Sequence, residues 1–346
     1  MKDNHFKGQT IWETMPKKVD LTDRKITYLL CNNSRLSNTA IGKALKLKRE
    51  VVSYRIKRML ENEFLFGFVS RINPRKLGLL IHFLNLKLKN PSKEQEIIAY
   101  LEAKNEISGL KNTSGRFDLW TEITSKNIEE LDSIVAEILN KYGHLIQEYK
   151  ITQIVEEIPM DVSILLEDKK SQKLRELKER KGSSFQKELE MQKRNNEKVE
   201  LDELDKDILN FIKLDARMNL KDLAQKTESS PAVIKNRIKK MVQEGVIKTF
   251  TSYFSLSSLG YQMFQVLMQV RNHNEPEFLT FVNAHPNILW TYKMIGEWNY
   301  QVNIFALNNA HLHEVLNDLR NRFSDNIVSY DTSLVFNILK LEQRVK

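Results

Sequence analysis

Apolar residues recur at helical spacing in three short bursts near the start of the chain: Ile26, Leu29 and Leu30; then Ile41, Ala44 and Leu45; then Val51 or Val52 with Ile56, Met59 and Leu60. Steps of three and four put each set on one face of a helix. Thr22 is the predicted N-cap of the first helix, and Cys31-Asn32-Asn33-Ser34 ends it. Ser37 or Asn38 caps the second, over 38–45, and a short turn leads into the third. Three short helices with a tight turn before the last predict a helix-turn-helix. From residue 64 the period changes to two. A run over 64–72 predicts a wing or connecting strand; strands over 81–88, 107–113, 117–124 and 145–158 then alternate with helices over 93–104 and 128–142. That βαββαβ order predicts a ferredoxin-like α+β sandwich with both helices on one face of the sheet. The other face, bearing Leu84, Leu86 and Leu88 or their opposite-phase neighbours, needs something to pack against.

The same pattern is then written again. REVVSYRIKRMLEN at 49–62 returns as PAVIKNRIKKMVQE at 231–244, with Val51, Arg55, Ile56, Lys57 and Met59 recurring 182 positions later. The spacing holds without a gap from Asp20/Asp202 and Arg35/Arg217 through Phe68/Phe250 to Leu77-Gly78/Leu259-Gly260. A second wing run covers 246–254. The second sandwich has strands over 262–270, 288–295, 298–305 and 327–341, and helices over 277–284 and 310–322. The predicted organisation is an N-terminal arm (1–19), a helix-turn-helix (20–73), a ferredoxin-like domain (74–159), a charged linker (160–201), a second helix-turn-helix (202–255) and a second ferredoxin-like domain (256–346). Ile11 and Trp12 are the apolar points of the arm. The linker is rich in Lys, Glu, Arg and Gln, with a break at Gly182-Ser183-Ser184.

Composition adds a partner class. At 346 residues with 41% hydrophobic content the chain can fill several cores. Its net charge of +9 favours a polyanion. No apolar run approaches the roughly eighteen residues of a membrane helix, so a soluble cytoplasmic protein is expected. Cys31, the single cysteine, falls on an apolar helix face and reads as a buried thiol.

The third helix of each copy carries the candidate chemistry. In the first, Lys48, Arg49, Ser53, Tyr54, Arg55, Lys57 and Arg58 supply donors suited to guanine edges and phosphates; in the second, Ser230, Lys235, Asn236, Arg237 and Lys239 do so. Ser230-Pro231 starts the second helix with a cap and a proline, whereas Lys48-Arg49 forgoes the cap. Arg49, Ser53 and Tyr54 differ from Pro231, Lys235 and Asn236, so the two copies can read different bases. No nucleophile–base pair, phosphate loop or carboxylate pair has workable spacing. His311 and His313, two apart on a helix, splay too widely to share a metal. No catalytic residue, metal or cofactor is therefore assigned.

These residues resemble the Lrp/AsnC (feast/famine) transcription regulators. In the first copy the resemblance rests on Asp23, Ile26, Ser34-Arg35-Leu36-Ser37 and Arg55-Ile56. In the second it is closer, through Leu204-Asp205-Lys206-Asp207-Ile208-Leu209, Asp215-Ala216-Arg217, Leu223-Ala224, Ser230-Pro231-Ala232-Val233, Arg237-Ile238 and Glu244-Gly245-Val246-Ile247. It covers about 20–159 and 202–342. It implies two family units in tandem that bind double-stranded DNA, paired through their sheets as an intramolecular pseudo-dimer or a homo-oligomer. It also implies a small-effector site, of the amino-acid kind, at a Gly-x-x-Asp loop. The matching residues are Gly115, Phe117 and Asp118, and Gly296, Trp298 and Asn299. Asn299 departs from the family's acid, and Glu63 from the glycine kept at Gly245.

Two other readings stay open. Siroheme decarboxylases resemble the same two-domain unit, and some are fused in tandem. This chain has Tyr292, Trp298, Asn299 and Tyr300 in the relevant region but Met294-Ile295-Gly296-Glu297 where basic residues are expected. The other is a partner subunit that oligomerises with regulators without binding DNA itself.

Overall fold

The computed structural model describes residues 9–10, 18–158, 161–166 and 197–345. Ile11 and Trp12 and most of the expected linker lie outside them. Beyond the two-residue strand β1 (Gln9–Thr10), the first unit runs α1 (Leu21–Asn32), α2 (Asn38–Leu45), α3 (Arg49–Glu61), β2 (Leu65–Ile72), β3 (Leu80–Leu88), α4 (Glu94–Ala103), β4 (Ile107–Ser114), β5 (Leu119–Ser125), α5 (Ile128–Tyr142) and β6 (Ile146–Ile158). The second repeats it with α6 (Glu203–Ile212), α7 (Leu220–Lys226), α8 (Pro231–Gln243), β7 (Ile247–Phe254), β8 (Gln262–Val270), α9 (Glu275–Ala284), β9 (Ile288–Ile295), β10 (Tyr300–Ala306), α10 (Asn309–Phe323) and β11 (Ile327–Leu341). The expected fold class stands.

Local starts and stops follow side-chain chemistry. The first helix begins at Asp20, two residues before the expected Thr22. The Asp20 carboxylate accepts the Asp23 N–H at 2.9 Å, and Asp23 accepts the Asp20 N–H at 3.2 Å, a reciprocal capping box that Thr22 cannot match. Lys46 and Glu228 stand at equivalent positions between helices two and three of each copy, and both take left-handed backbone (φ 57° and 49°). After the third helix, Gly245 takes φ 74° without side-chain cost, but its counterpart Glu63 is held at φ 56°. Glu63→Gly should therefore raise unfolding stability by about 0.5–1 kcal/mol in urea titration. A loss of stability would show that the Glu63 side chain matters more than its backbone.

Each sandwich has the order expected of its connectivity, β4-β5-β3-β6 and β9-β10-β8-β11. Helices α4 and α5 cover one sheet face on Leu84, Leu86, Leu110, Leu119 and Ile123, and α9 and α10 cover the other unit's on Phe264, Val266, Met268, Val302 and Ile304. The remaining face of each sheet meets its counterpart. Phe83, Phe117, Trp120 and Ile154 pack there on Leu267, Met294 and Trp298. The last strand of each half then runs on into the other sheet: β6 leaves β3 at Gln153 to pair with β9 as far as Ile158, and β11 leaves β8 at Val335 to pair with β4 as far as Leu341. Eight strands thereby close on themselves, which removes the sheet edges. Pairing is intramolecular.

The helix-turn-helices cross over as well. Strands β2 and β7 form a two-stranded antiparallel ribbon that joins them. The core of the first contains Ile26, Leu30, Ile41, Val52 and Met59. It also contains Tyr261, Met263, Leu289, Phe305 and Val335 of the second unit, and Val162, Ile164, Leu165 and Leu166 from the stretch expected to open the linker. Ile72, Leu77 and Leu79 of the first unit complete the core of the second.

Candidate nucleic-acid interface and effector region

Helix α3 turns Val52, Ile56 and Met59 inward, which settles the choice between Val51 and Val52. Lys48, Arg49, Ser53, Tyr54 and Lys57 are exposed, Tyr54 at 64%. Lys57 also lies 3.7 Å from Glu61, a weak surface pair. Arg55 and Arg58 point elsewhere. Both reach Asp23, whose side chain is fully buried, at 2.8 and 2.5 Å, and Arg55 also holds Asp20 at 2.7 Å. They bind the third helix to the first and cancel a buried charge.

Helix α8 repeats this with one arginine. Arg237 holds Asp202 at 2.7 Å and Asp205 at 3.2 Å, while Lys240, in the place of Arg58, sits 3.9 Å from Glu244. Burial, with Asp202 beside it, raises the Asp205 carboxyl above the usual range. Lys235, Asn236 and Lys239 are exposed. Ser230 caps this helix by accepting the Val233 N–H at 3.3 Å, and α3 has no side-chain cap.

Residues kept in both copies explain how the two helix-turn-helices are held. Arg35 stacks over Phe250 at 5.2 Å, and Arg217 over Phe68 at 5.0 Å. Beside them the Ser34 N–H donates to Phe250 O and the Ala216 N–H to Phe68 O. These are one contact made twice about a pseudo-two-fold axis, as in an isologous dimer interface. Cys31 belongs to the same seam: its Sγ lies 3.3 Å from Ser252 O, and burial pushes its thiol up.

The loops expected to hold an effector meet where the sheets close. Asp118 accepts from Lys87 Nζ and from the Leu88 N–H, each at 2.8 Å. Asn299 does the equivalent work as a neutral amide, accepting the Val270 N–H at 2.8 Å and donating to Val270 O at 2.6 Å. The backbone clip survives the loss of the acid. Phe117 and Trp298 are buried edge-to-face, with centroids 6.2 Å apart. Gly115 and Gly296 allow close approach: a Cβ at Gly115 would meet Ser333 Oγ at 2.9 Å, and one at Gly296 would meet Thr152 Cγ2 at 3.2 Å. Outside this knot, Arg116 bonds Glu297 at 2.8 Å, Glu148 at 3.1 Å and Asp331 at 3.2 Å, and Lys150 lies 3.2 Å from Glu297. Arg116 beside Glu297 holds that carboxyl below the usual range.

The interior between the sheets is more polar than sequence pattern suggested. Lys111 lies 3.8 Å from the Trp120 ring, and burial lowers its ammonium to about 8. Trp120 Nε1 donates to Gln301 Oε1 at 3.1 Å. Deeper toward the ribbon, Glu157 of β6 pairs with Arg71 of β2 and, at 3.1 Å, with Lys248 of β7. Nothing in the local sequence pattern marks these three charges. The hint available was the length of β6 and β11, 13 and 15 residues, about twice a usual strand.

Comparison with known proteins bears on the helix-turn-helix of the first unit and on both domains of the second. Residues 19–60 match the AsnC-type helix-turn-helix domain, 201–248 a winged helix-turn-helix DNA-binding domain, and 264–345 the Lrp/AsnC ligand binding domain. The HTH-type transcriptional regulator Ptr1 of Methanocaldococcus jannaschii is 36% identical over 120 residues, which are 34% of this chain and 80% of that protein. The HTH-type transcriptional regulator LrpC of Bacillus subtilis is 27% identical over 127 residues, 36% of this chain and 85% of that one. Among solved structures, the siroheme decarboxylase NirDL superposes over 94% of both chains with a TM-score of 0.63 at 10% identity, a likeness of fold. The single-unit relatives account for the sequence and the two-unit structure for its arrangement. The chain belongs to the Lrp/AsnC family and carries two of its units in tandem.

Proposed function

We propose that this protein is a sequence-specific DNA-binding transcriptional regulator whose two recognition helices, α3 and α8, read the two halves of an imperfectly symmetric operator. The observation that carries the reading is the pair of unlike exposed faces, Lys48, Arg49, Ser53, Tyr54 and Lys57 on one helix and Lys235, Asn236 and Lys239 on the other. The β2–β7 ribbon and the Arg35/Arg217 seam hold the two helix-turn-helices together. Half-sites about one helical turn apart, roughly 34 Å, are the expected spacing. An amino-acid effector belongs to the same proposal. Its site is the loop pair 115–118 and 296–299, where a ligand preferring one geometry of the closure biases how the helix-turn-helices are presented.

Selection of bound sequences from a random DNA pool, followed by a salt titration on the selected site, tests the proposal. With about six phosphates neutralised, log K should fall against log salt with a slope near −5. A flat response counts against it. The NirDL-like two-unit fold favours one competing reading, a tetrapyrrole enzyme. In that region Met294 is buried and Glu297 is committed to Arg116 and Lys150. A Soret band retained after incubation with an iron tetrapyrrole and gel filtration would favour the enzyme.

A further inference from the structure

The two halves of the closed sheet are equivalent position by position. Leu86 faces Tyr149 in the first as Met268 faces Tyr330 in the second; across the junctions Ser114 faces Leu334 as Ile295 faces Gln153. By that register Arg116 corresponds to Glu297, and Lys150 to Asp331. These four residues are also the ones that touch across the junction: Arg116 with Glu297, Arg116 with Asp331, and Lys150 with Glu297. The first half thus presents two cations and the second two anions at matching places. All three of these ion pairs between unlike halves are attractive, with Glu148 of the first half as an added acid beside Arg116 and Lys150, at 3.1 and 3.8 Å.

Two first halves placed in the same geometry would set Arg116 against Arg116 and Lys150; two second halves would set Glu297 against Glu297 and Asp331. Every one of those contacts is repulsive. Symmetry-tolerant contacts tell the opposite story. Arg35/Arg217, Phe68/Phe250 and Gly115/Gly296 kept the same residue in both copies. Trp120 and Gln301, another equivalent pair, have diverged into donor and acceptor for each other. At the junction, the diverged pairs Arg116/Glu297, Lys150/Asp331 and Trp120/Gln301 stand where self-pairing and cross-pairing differ in energy. The four charged side chains are 31–42% exposed, so each pair adds little stability, whereas like-charge juxtaposition is a strong discriminator between partners.

The geometry points to a charge code: Arg116/Lys150 against Glu297/Asp331 makes each ferredoxin-like half accept the other and reject a second copy of itself, confining sheet closure to unlike halves. The surface each half offers fits a partner half of the opposite sign.

The test uses the full-length chain. R116E/K150E makes both halves acidic, and E297K/D331K makes both basic. Each variant should lower the thermal midpoint by roughly 5 °C at low salt. The fourfold variant R116E/K150E/E297K/D331K restores the opposition of sign and should regain most of the loss, Glu148 keeping the recovery short of complete. The losses should shrink in 1 M salt, where screening acts over about 3 Å. Losses that simply add in the fourfold variant would overturn the code. If either twofold variant fails to fold alone, co-refolding the two decides. A 1:1 complex of isotope-labelled and unlabelled variant chains, seen by native mass spectrometry and absent from wild-type mixtures, supports the code. Chains that ignore each other refute it.

Discussion

Simultaneous replacement of Arg49, Tyr54 and Lys57 by alanine should weaken binding to the selected operator by at least about 100-fold while leaving the thermal midpoint nearly unchanged. All three side chains are exposed on α3, and the core face of that helix is carried by Val52, Ile56 and Met59. A bidentate base contact contributes about 1–3 kcal/mol of discrimination. Arg49 and Tyr54 have different residues at their counterparts, so losing them should flatten preference in one half-site more than the other. Lys57, which keeps a lysine counterpart at Lys239, suits a phosphate contact that reduces affinity evenly across sequences. Arg55 is left out of the variant because its bonds to Asp20 and Asp23 would confound binding with folding. Fluorescence anisotropy on matched and scrambled duplexes reads the outcome. Unchanged affinity for the selected operator would remove α3 from the DNA interface.

The largest effect on stability is expected at Glu157. Burial works against its charged form, but Arg71 and Lys248 overcome this and hold the carboxyl down to about 2. Glu157→Gln leaves two largely buried cations facing a neutral amide. It should cost about 3 kcal/mol, because breaking a buried pair from one side is expensive. Replacing all three by apolar residues of similar size should cost much less. The acid limb carries the same signature. A carboxylate depressed in the fold contributes stability that is complete above its ordinary value near 4.5 and is lost as pH falls toward 2. Urea midpoints of the parent protein should therefore drop across that window, and those of Glu157→Gln should drop less. Equal slopes would mean that other carboxylates dominate acid unfolding. Because Arg71 and Lys248 sit on β2 and β7, this triad ties the ribbon between the helix-turn-helices to the closed sheet beneath.

Sequence pattern reached some of this directly. The strands at 262–270, 288–295 and 327–341 and the helices at 38–45 and 128–142 were readable to the residue from their apolar periodicity. The strand expected from 298 begins at Tyr300, because Trp298 packs in the loop and Asn299 is spent on the β8 backbone. Side-chain alternation tells that a strand has two faces but not which strand lies beside it, so the run of β6 and β11 into the opposite sheet was not legible. The exposed recognition faces were visible as polar positions on an apolar helix. The tie of Arg58 to Asp23 was not, since its partner lies 35 residues away and burial of an aspartate has no local signal.

Cross-packing of the two units also sets an order of events during synthesis. The first helix-turn-helix emerges from the ribosome early, but part of its core, Tyr261, Met263, Leu289, Phe305 and Val335, is translated last. At about 5–20 residues per second the interval is on the order of tens of seconds. During that time the apolar face of the nascent N-terminal unit has no native cover. Truncation late in the message should therefore strip the first domain of part of its core as well as removing the last strand, so the loss of one end is felt at the other.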